Sequence, residues 1–169
     1  MKQKIAFYII MTILSICIFM GIFCWYGNHH SNSQMLQIAN AYLKDINGRT
    51  IRLVNDKPAI LLFFNTRCDL CASEISLLKK HIKRLSELYN VFFISFESSQ
   101  SLLDFFSAQK FNVKHKNVYI ISDEKMALLD YYKIEGYPSF IIVNTNVQTV
   151  YRGAALSNKI VAELLKGNH

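Results

Sequence analysis

Two cysteines separated by two residues, Cys68-Asp69-Leu70-Cys71, stand where an apolar run gives way to a helical pattern. The run, Ala59 to Phe64, is continuous rather than alternating, which predicts a strand buried on both faces. It breaks at Asn65-Thr66-Arg67. Leu70, Ile75, Leu77, Leu78, Ile82, Leu85 and Leu88 then recur at helical spacing, so Cys68 is expected at a helix N-terminus with Cys71 one turn further in. Unpaired amides and the positive end of the helix dipole stabilise a thiolate at that place, and the thiolate is the reactive form. Two thiols one turn apart can close into a disulfide and reopen, so the leading reading is a redox-active dithiol. A structural zinc site needs two more ligands at suitable spacing. Cys17 and Cys24 lie in an apolar N-terminal run, and no histidine pair follows at finger spacing. A purely structural Cys68–Cys71 disulfide is the other alternative.

The elements that must hold these thiols come from a chain of 169 residues, 51% apolar, with only 6 Gly and 2 Pro. That leaves room for one domain plus an appendage and argues against disorder or low complexity. The formal charge of +7 is spread over Lys79-Lys80, Lys83-Arg84 and Lys110 to Lys116 with no interleaved aromatic stripe. It reads as a solvated basic surface, and no nucleic-acid partner is expected.

Ile5 to Tyr26 carries no charged residue and is long enough to cross a bilayer as one helix. Lys2 and Lys4 precede it, so the positive-inside rule places the N-terminus in the cytoplasm and the rest outside, with Trp25 and Tyr26 in the outer aromatic belt. The rival is a cleaved signal peptide, but the run exceeds the usual apolar core of such signals and lacks an A-x-A-like site. Gly21-Ile22-Phe23 is a poor match to the small residues expected before a lipidated cysteine at Cys24. The expected layout is a membrane anchor over 1–27, a polar linker over 28–35 in which His29 and His30 read as linker residues, and one domain over 36–169. No metal site is expected.

Within that domain, Asn47-Gly48 between Ala41-Tyr42-Leu43 and Ile51-Arg52-Leu53 predicts an N-terminal hairpin. Strands are expected over Ala59–Phe64, Val91–Phe96, Val118–Ile121, Ser139–Val143 and Val147–Arg152. Helices are expected from the cysteines to Leu88 and over Ser99–Lys110, Glu124–Tyr132 and Leu156–Leu165. This alternation predicts an α/β domain with a mixed central sheet flanked by helices.

Cys68-Asp69-Leu70-Cys71 taken with Gly136-Tyr137-Pro138-Ser139-Phe140 resembles the thioredoxin superfamily. More closely, the chain is similar to the membrane-anchored TlpA/ResA-like thiol–disulfide oxidoreductases, from about Leu36 to Leu165. A third carrier is Leu-Lys-Asp-Ile-Asn-Gly-Arg-Thr-Ile-Arg-Leu, residues 43–53, ahead of the central strand. The resemblance implies a thioredoxin-like fold and disulfide exchange with other proteins. Cys68 would be the attacking thiol and Cys71 the resolving one. Pro138 would be a cis-proline facing them, with Tyr137 before it pairing with the backbone of a bound substrate.

Glu74, three residues after Cys71, matches a glutamate that cytochrome c maturation members carry beside the thiols. There it would disfavour the thiolate or take its proton. As an ordinary first-turn residue it would instead face water. Glu97 is a weaker candidate of the same kind. Arg67 stands where tryptophan is common and would favour the Cys68 thiolate or meet a substrate, whereas Asp69 acts in the opposite direction. The resemblance further implies an extracytoplasmic protein in the cytoplasmic membrane, reducing partner disulfides such as that of a c-type apocytochrome. Electrons would come from a membrane-embedded thiol transporter; no cofactor is expected, and no G-x-G-x-x-G is present. A peroxiredoxin-like peroxidase and a copper-delivery or holdase protein are the alternatives. Thr66 lies two residues before Cys68 where the peroxidases place it three before, and copper carriers use C-x-x-x-C.

Overall fold

The computed structural model describes residues 11–23, 42–53, 56–111 and 115–167. The chain divides into two units, Met1–Gln37 and Ile38–His169. In the first, residues 11–23 form helix α1, with Ile13, Leu14, Ile16, Phe19, Ile22 and Phe23 all exposed. Among the described residues no helix is long and apolar enough to cross a membrane. Lys2, Lys4, Cys24, Trp25, Tyr26 and the 28–35 linker lie outside the described residues, so the anchor expected over 1–27 is described only across α1.

The second unit opens with the expected hairpin, β1 (Tyr42–Lys44) paired antiparallel with β2 (Thr50–Arg52). Its turn is built on Asp45, whose carboxylate accepts from the backbone N–H groups of Asn47 at 3.0 Å and Arg49 at 2.8 Å. Gly48 takes the left-handed conformation, φ +79°, that closes the turn without a Cβ clash. The turn docks on the sheet: Ile46 N–H donates to Ile120 O at 3.0 Å and the Arg49 guanidinium to Val118 O at 2.6 Å.

Five strands form the central sheet: β3 (Ala59–Phe63), β4 (Asn90–Ser95), β5 (Val118–Ser122), β6 (Ser139–Val143) and β7 (Thr149–Gly153). Their order is β5-β4-β3-β6-β7. β3, β4 and β5 run parallel, and β6 and β7 are antiparallel additions, with an irregularity in the β6–β7 register at Ile142/Val143. The sheet is therefore mixed, as expected. β3 is apolar throughout because each face of the sheet has its own core. Ile60, Leu62 and Phe64 pack with Ile75, Leu78, Ile82 and Leu85 of α2 (Asp69–Leu88), with Leu102 and Phe106 of α3 (Ser99–Ala108) and with Val161 and Leu164 of α5 (Asn158–Lys166). Ala59, Leu61 and Phe63 pack with Leu53 and with Leu128 and Leu129 of α4 (Ala127–Tyr131).

Element ends shift by a residue or two, except at α4. A helix was expected from Glu124, but Met126 sits at φ 55°, left-handed, and the helix begins after it. The Asp123 carboxylate supplies the reason. It accepts from the amides of Ala127, Leu128 and Leu129 at 2.8 to 3.1 Å, so residues 124–126 form the loop that this carboxylate closes.

Candidate active site

β3 and β4 are parallel neighbours, with Phe63 opposite Ile94, so their C-terminal ends lie side by side. The chain leaving β3 turns over Asn65-Thr66-Arg67 and enters α2 there. Cys68 N–H returns to Asn65 O at 3.2 Å, and Arg67 N–H donates to Asn65 Oδ1 at 2.8 Å, an Asx turn that aims the chain into the helix.

Cys68 is the N-cap of α2. Its sulfur accepts from the Cys71 N–H at 3.2 Å, taking the place of the usual capping oxygen. One first-turn donor of α2, the Cys71 N–H, is thus satisfied by this sulfur. Cys68 is half-buried and Cys71 fully buried, and both are free thiols. Burial, and then the hydrogen bond with Cys68, push the Cys71 thiol up to about 12. At neutral pH Cys71 is held protonated. The two thiols are chemically unequal although they share one helical turn.

The second motif arrives across the sheet. The Tyr137–Pro138 peptide is cis, and the Tyr137 carbonyl oxygen lies 4.0 Å from the Cys68 sulfur. Pro138 is buried, and Ser139 Oγ donates back to Gly136 O at 2.8 Å, which tightens this turn at the start of β6. The Tyr137 ring packs against Phe96 with centroids 6.0 Å apart. Its phenol is raised by burial and then by nearby negative charge, Asp123 first, so it stays protonated. An open groove of about 360 Å³ continues from the cis-proline, lined in part by Lys133, Glu135, Tyr137, Arg152 and Gly153.

Cys68, Cys71, Tyr137 and Pro138 are thus brought together. Arg67 is adjacent and exposed, as is Asp69. Glu74 is placed differently from the ordinary expectation: it does not face water. It is buried on the same face of α2 as Cys71, and its Oε2 accepts from the Leu156 N–H at 3.2 Å, in the turn before α5. Glu97, ranked behind it on sequence, holds the active turn directly through Thr66. Its position just beyond the C-terminal end of the strand beside β3 was the signal available in the sequence. Among the described residues no group of three or more His, Cys, Asp or Glu could hold a metal ion.

Comparison with solved structures shows the same fold. StoA from Bacillus subtilis aligns with a TM-score of 0.63 at 20% identity, over 73% of this chain and 94% of that one. A secreted Mycobacterium tuberculosis disulfide oxidoreductase homologous to E. coli DsbE aligns at 0.62 and 15% identity, over 77% and 97%. The peroxidoxin BcpB from Mycobacterium tuberculosis aligns at 0.60 and 16%, over 75% and 90%. Among curated proteins no sequence match is found. A family model described as AhpC/TSA matches residues 36–152. That span runs from before the hairpin to β7 and includes both motifs, so the chain belongs to the AhpC/TSA family, within the thioredoxin superfamily and akin to its TlpA/ResA-like oxidoreductases.

Proposed function

We propose that this protein reduces disulfides in partner proteins outside the cytoplasm, held to the membrane by its N-terminal segment. One observation carries the chemistry: the Cys68 sulfur, at the N-cap of α2, faces the Cys71 amide on one side and the cis-proline turn on the other. The Cys68 thiolate attacks one sulfur of the partner disulfide. That S–S bond breaks, and the departing partner thiolate takes a proton. The mixed disulfide is then attacked by Cys71, which must first lose its own proton. A Cys68–Cys71 disulfide forms, and the partner leaves as a dithiol carrying two more electrons. A dithiol on a membrane thiol transporter restores the pair by the reverse exchange.

Burial makes the proton on Cys71 the obstacle in the second step. Glu74 lies three residues on, on the same buried helix face, and is the carboxylate assigned to receive it. The groove beside Pro138 takes the partner's polypeptide, with Tyr137 pairing to its backbone and the exposed Arg67, next to Cys68, meeting it. Glu74 on the buried face it shares with Cys71 and the TlpA/ResA likeness support the reductive direction and a c-type apocytochrome among the substrates; the secreted Mycobacterium tuberculosis relative supports the location.

The peroxidase reading has one observation in its favour, the family match itself together with the peroxidoxin neighbour. Insulin-disulfide reduction run beside hydrogen peroxide consumption, with Cys68→Ser as control, separates the two. Reduction of insulin that depends on Cys68, without peroxide turnover, supports the reductase. Cys68-dependent peroxide turnover without insulin reduction overturns it.

A further inference from the structure

Glu97 has no step in this exchange scheme, yet its carboxylate grips the active turn at two points. Oε2 accepts from the Thr66 N–H at 3.0 Å, and Oε1 accepts from the Thr66 hydroxyl at 2.6 Å. The carboxylate is itself held, because Ser95 Oγ donates to Oε2 at 3.2 Å. The backbone beneath it is also fixed: Ser122 Oγ, at the end of β5, donates to Glu97 O at 2.7 Å. The ends of β4 and β5 thus form a platform, and Glu97 reaches from it to the loop leaving β3. Thr66 lies inside the turn that closes when Cys68 N–H meets Asn65 O, so whatever holds Thr66 also sets where the Cys68 sulfur begins. Two donors on one residue, met by the two oxygens of one carboxylate, fix orientation as well as distance.

We propose that Glu97 is the positioning residue of the dithiol: by clamping Thr66 it holds the turn that keeps the Cys68 sulfur in register with Cys71. This rests on Cys68 and Cys71 acting as an exchanging pair. A positioned pair closes quickly because its reacting atoms are already aligned, and small displacements are expensive in rate. Without the clamp the turn retains its Asx geometry but loses its tie to β4, so the closing step slows.

The test uses the full chain, with the mixed disulfide between Cys68 and glutathione formed first and its closure by Cys71 followed by acid quench and mass spectrometry. Glu97→Gln, which keeps the size but can accept at one atom only, slows closure about tenfold, the scale of one hydrogen bond to a charged group. Thr66→Val does the same, and Thr66→Ser, which restores the hydroxyl, returns the wild-type rate. The double variant Glu97→Gln/Thr66→Val is no slower than the slower single variant, because both break one clamp. Losses that multiply, a Thr66→Ser as slow as Thr66→Val, or Glu97→Gln closing at the wild-type rate each overturn the proposal. Hydrogen exchange supplies an arm independent of the chemistry. The amides of residues 66–71 exchange about tenfold faster in Glu97→Gln, while those of β3 and β6 do not change; equal protection in the two proteins also overturns it. A wild type that never closes its disulfide removes the functional reading, and the exchange arm still decides the clamp.

Discussion

The sulfur of Cys68 and the backbone nitrogen of Cys71 are 3.2 Å apart, so the side chain of one thiol residue accepts from the peptide of the other. The Cys71 thiol is instead pushed up, because burial outweighs the backbone hydrogen bonds at Asn65 and Cys71 that lower it. In the proposed exchange this asymmetry orders the two steps.

Its first consequence is a division of labour. In Cys71→Ser the mixed disulfide between Cys68 and its partner should persist, because no thiol remains to resolve it. Cys68→Ser should hold no partner. Non-reducing electrophoresis followed by mass spectrometry checks both, and partners trapped on Cys71 rather than Cys68 would reverse the assignment.

The second consequence is a pH dependence with a definite sign. The Cys71 thiol moves from its ordinary value of 9.0 to about 12, so the folded state keeps a proton that the unfolded chain releases. Stability of the reduced protein is unaffected by this group below about pH 9. It falls as pH rises between about 9 and 12, by about 1.4 kcal/mol per unit. Burial also raises the phenols of Tyr89, Tyr119, Tyr131, Tyr132 and Tyr137, so the measurement is the difference between wild type and Cys71→Ala in urea unfolding at a series of pH values. Parallel curves would show that Cys71 carries no such shift.

Glu74 offers a third. Its carboxylate accepts the Leu156 amide, and Gln in its place still presents an oxygen there. Glu74→Gln should therefore melt near the wild-type temperature while the mixed disulfide survives about a hundredfold longer, the low end of what a general base contributes. The first attack by Cys68 should be unchanged. Rapid-quench kinetics resolves the two phases, and an unaltered second phase assigns Glu74 to the contact with Leu156 alone.

The fourth concerns location. An alkaline phosphatase reporter, active only outside the cytoplasm, fused after His169 should be active in cells, and the protein should stay with membranes through a salt wash. Activity confined to a cytoplasmic reporter would refute the proposed placement. A shortened soluble product would replace the anchor with a cleaved signal and leave the thiol chemistry intact.

Much of this was legible in sequence because it is local. The continuous apolar run gave β3, the Ser139–Val143 bounds of β6 coincide with the expectation, and the break before Cys68 placed it at a helix start. Asn47-Gly48 marked the hairpin turn. What escaped depends on contacts between distant residues. For Glu74 the sequence leaves a water-facing first-turn reading open beside the one at the thiols, because nothing nearby shows that the turn at Leu156 folds over it. The grip of Glu97 on Thr66 crosses 31 residues and follows only once β4 is known to lie beside β3. Asp123 could have been read as a cap, and doing so would have moved the start of α4 past Met126.

The two margins of the sheet are finished differently. Along β5, carbonyls of Val118 and Ile120 are already taken by Arg49 and Ile46 of the hairpin turn. Along β7, the far side has no strand paired to it among the described residues, and the register is broken where β7 meets β6. Copies that add strand to strand grow into a fibre only if each molecule offers two open margins. Here the hairpin turn takes two carbonyls of the β5 margin from within the same chain, so that margin offers a second copy fewer free acceptors.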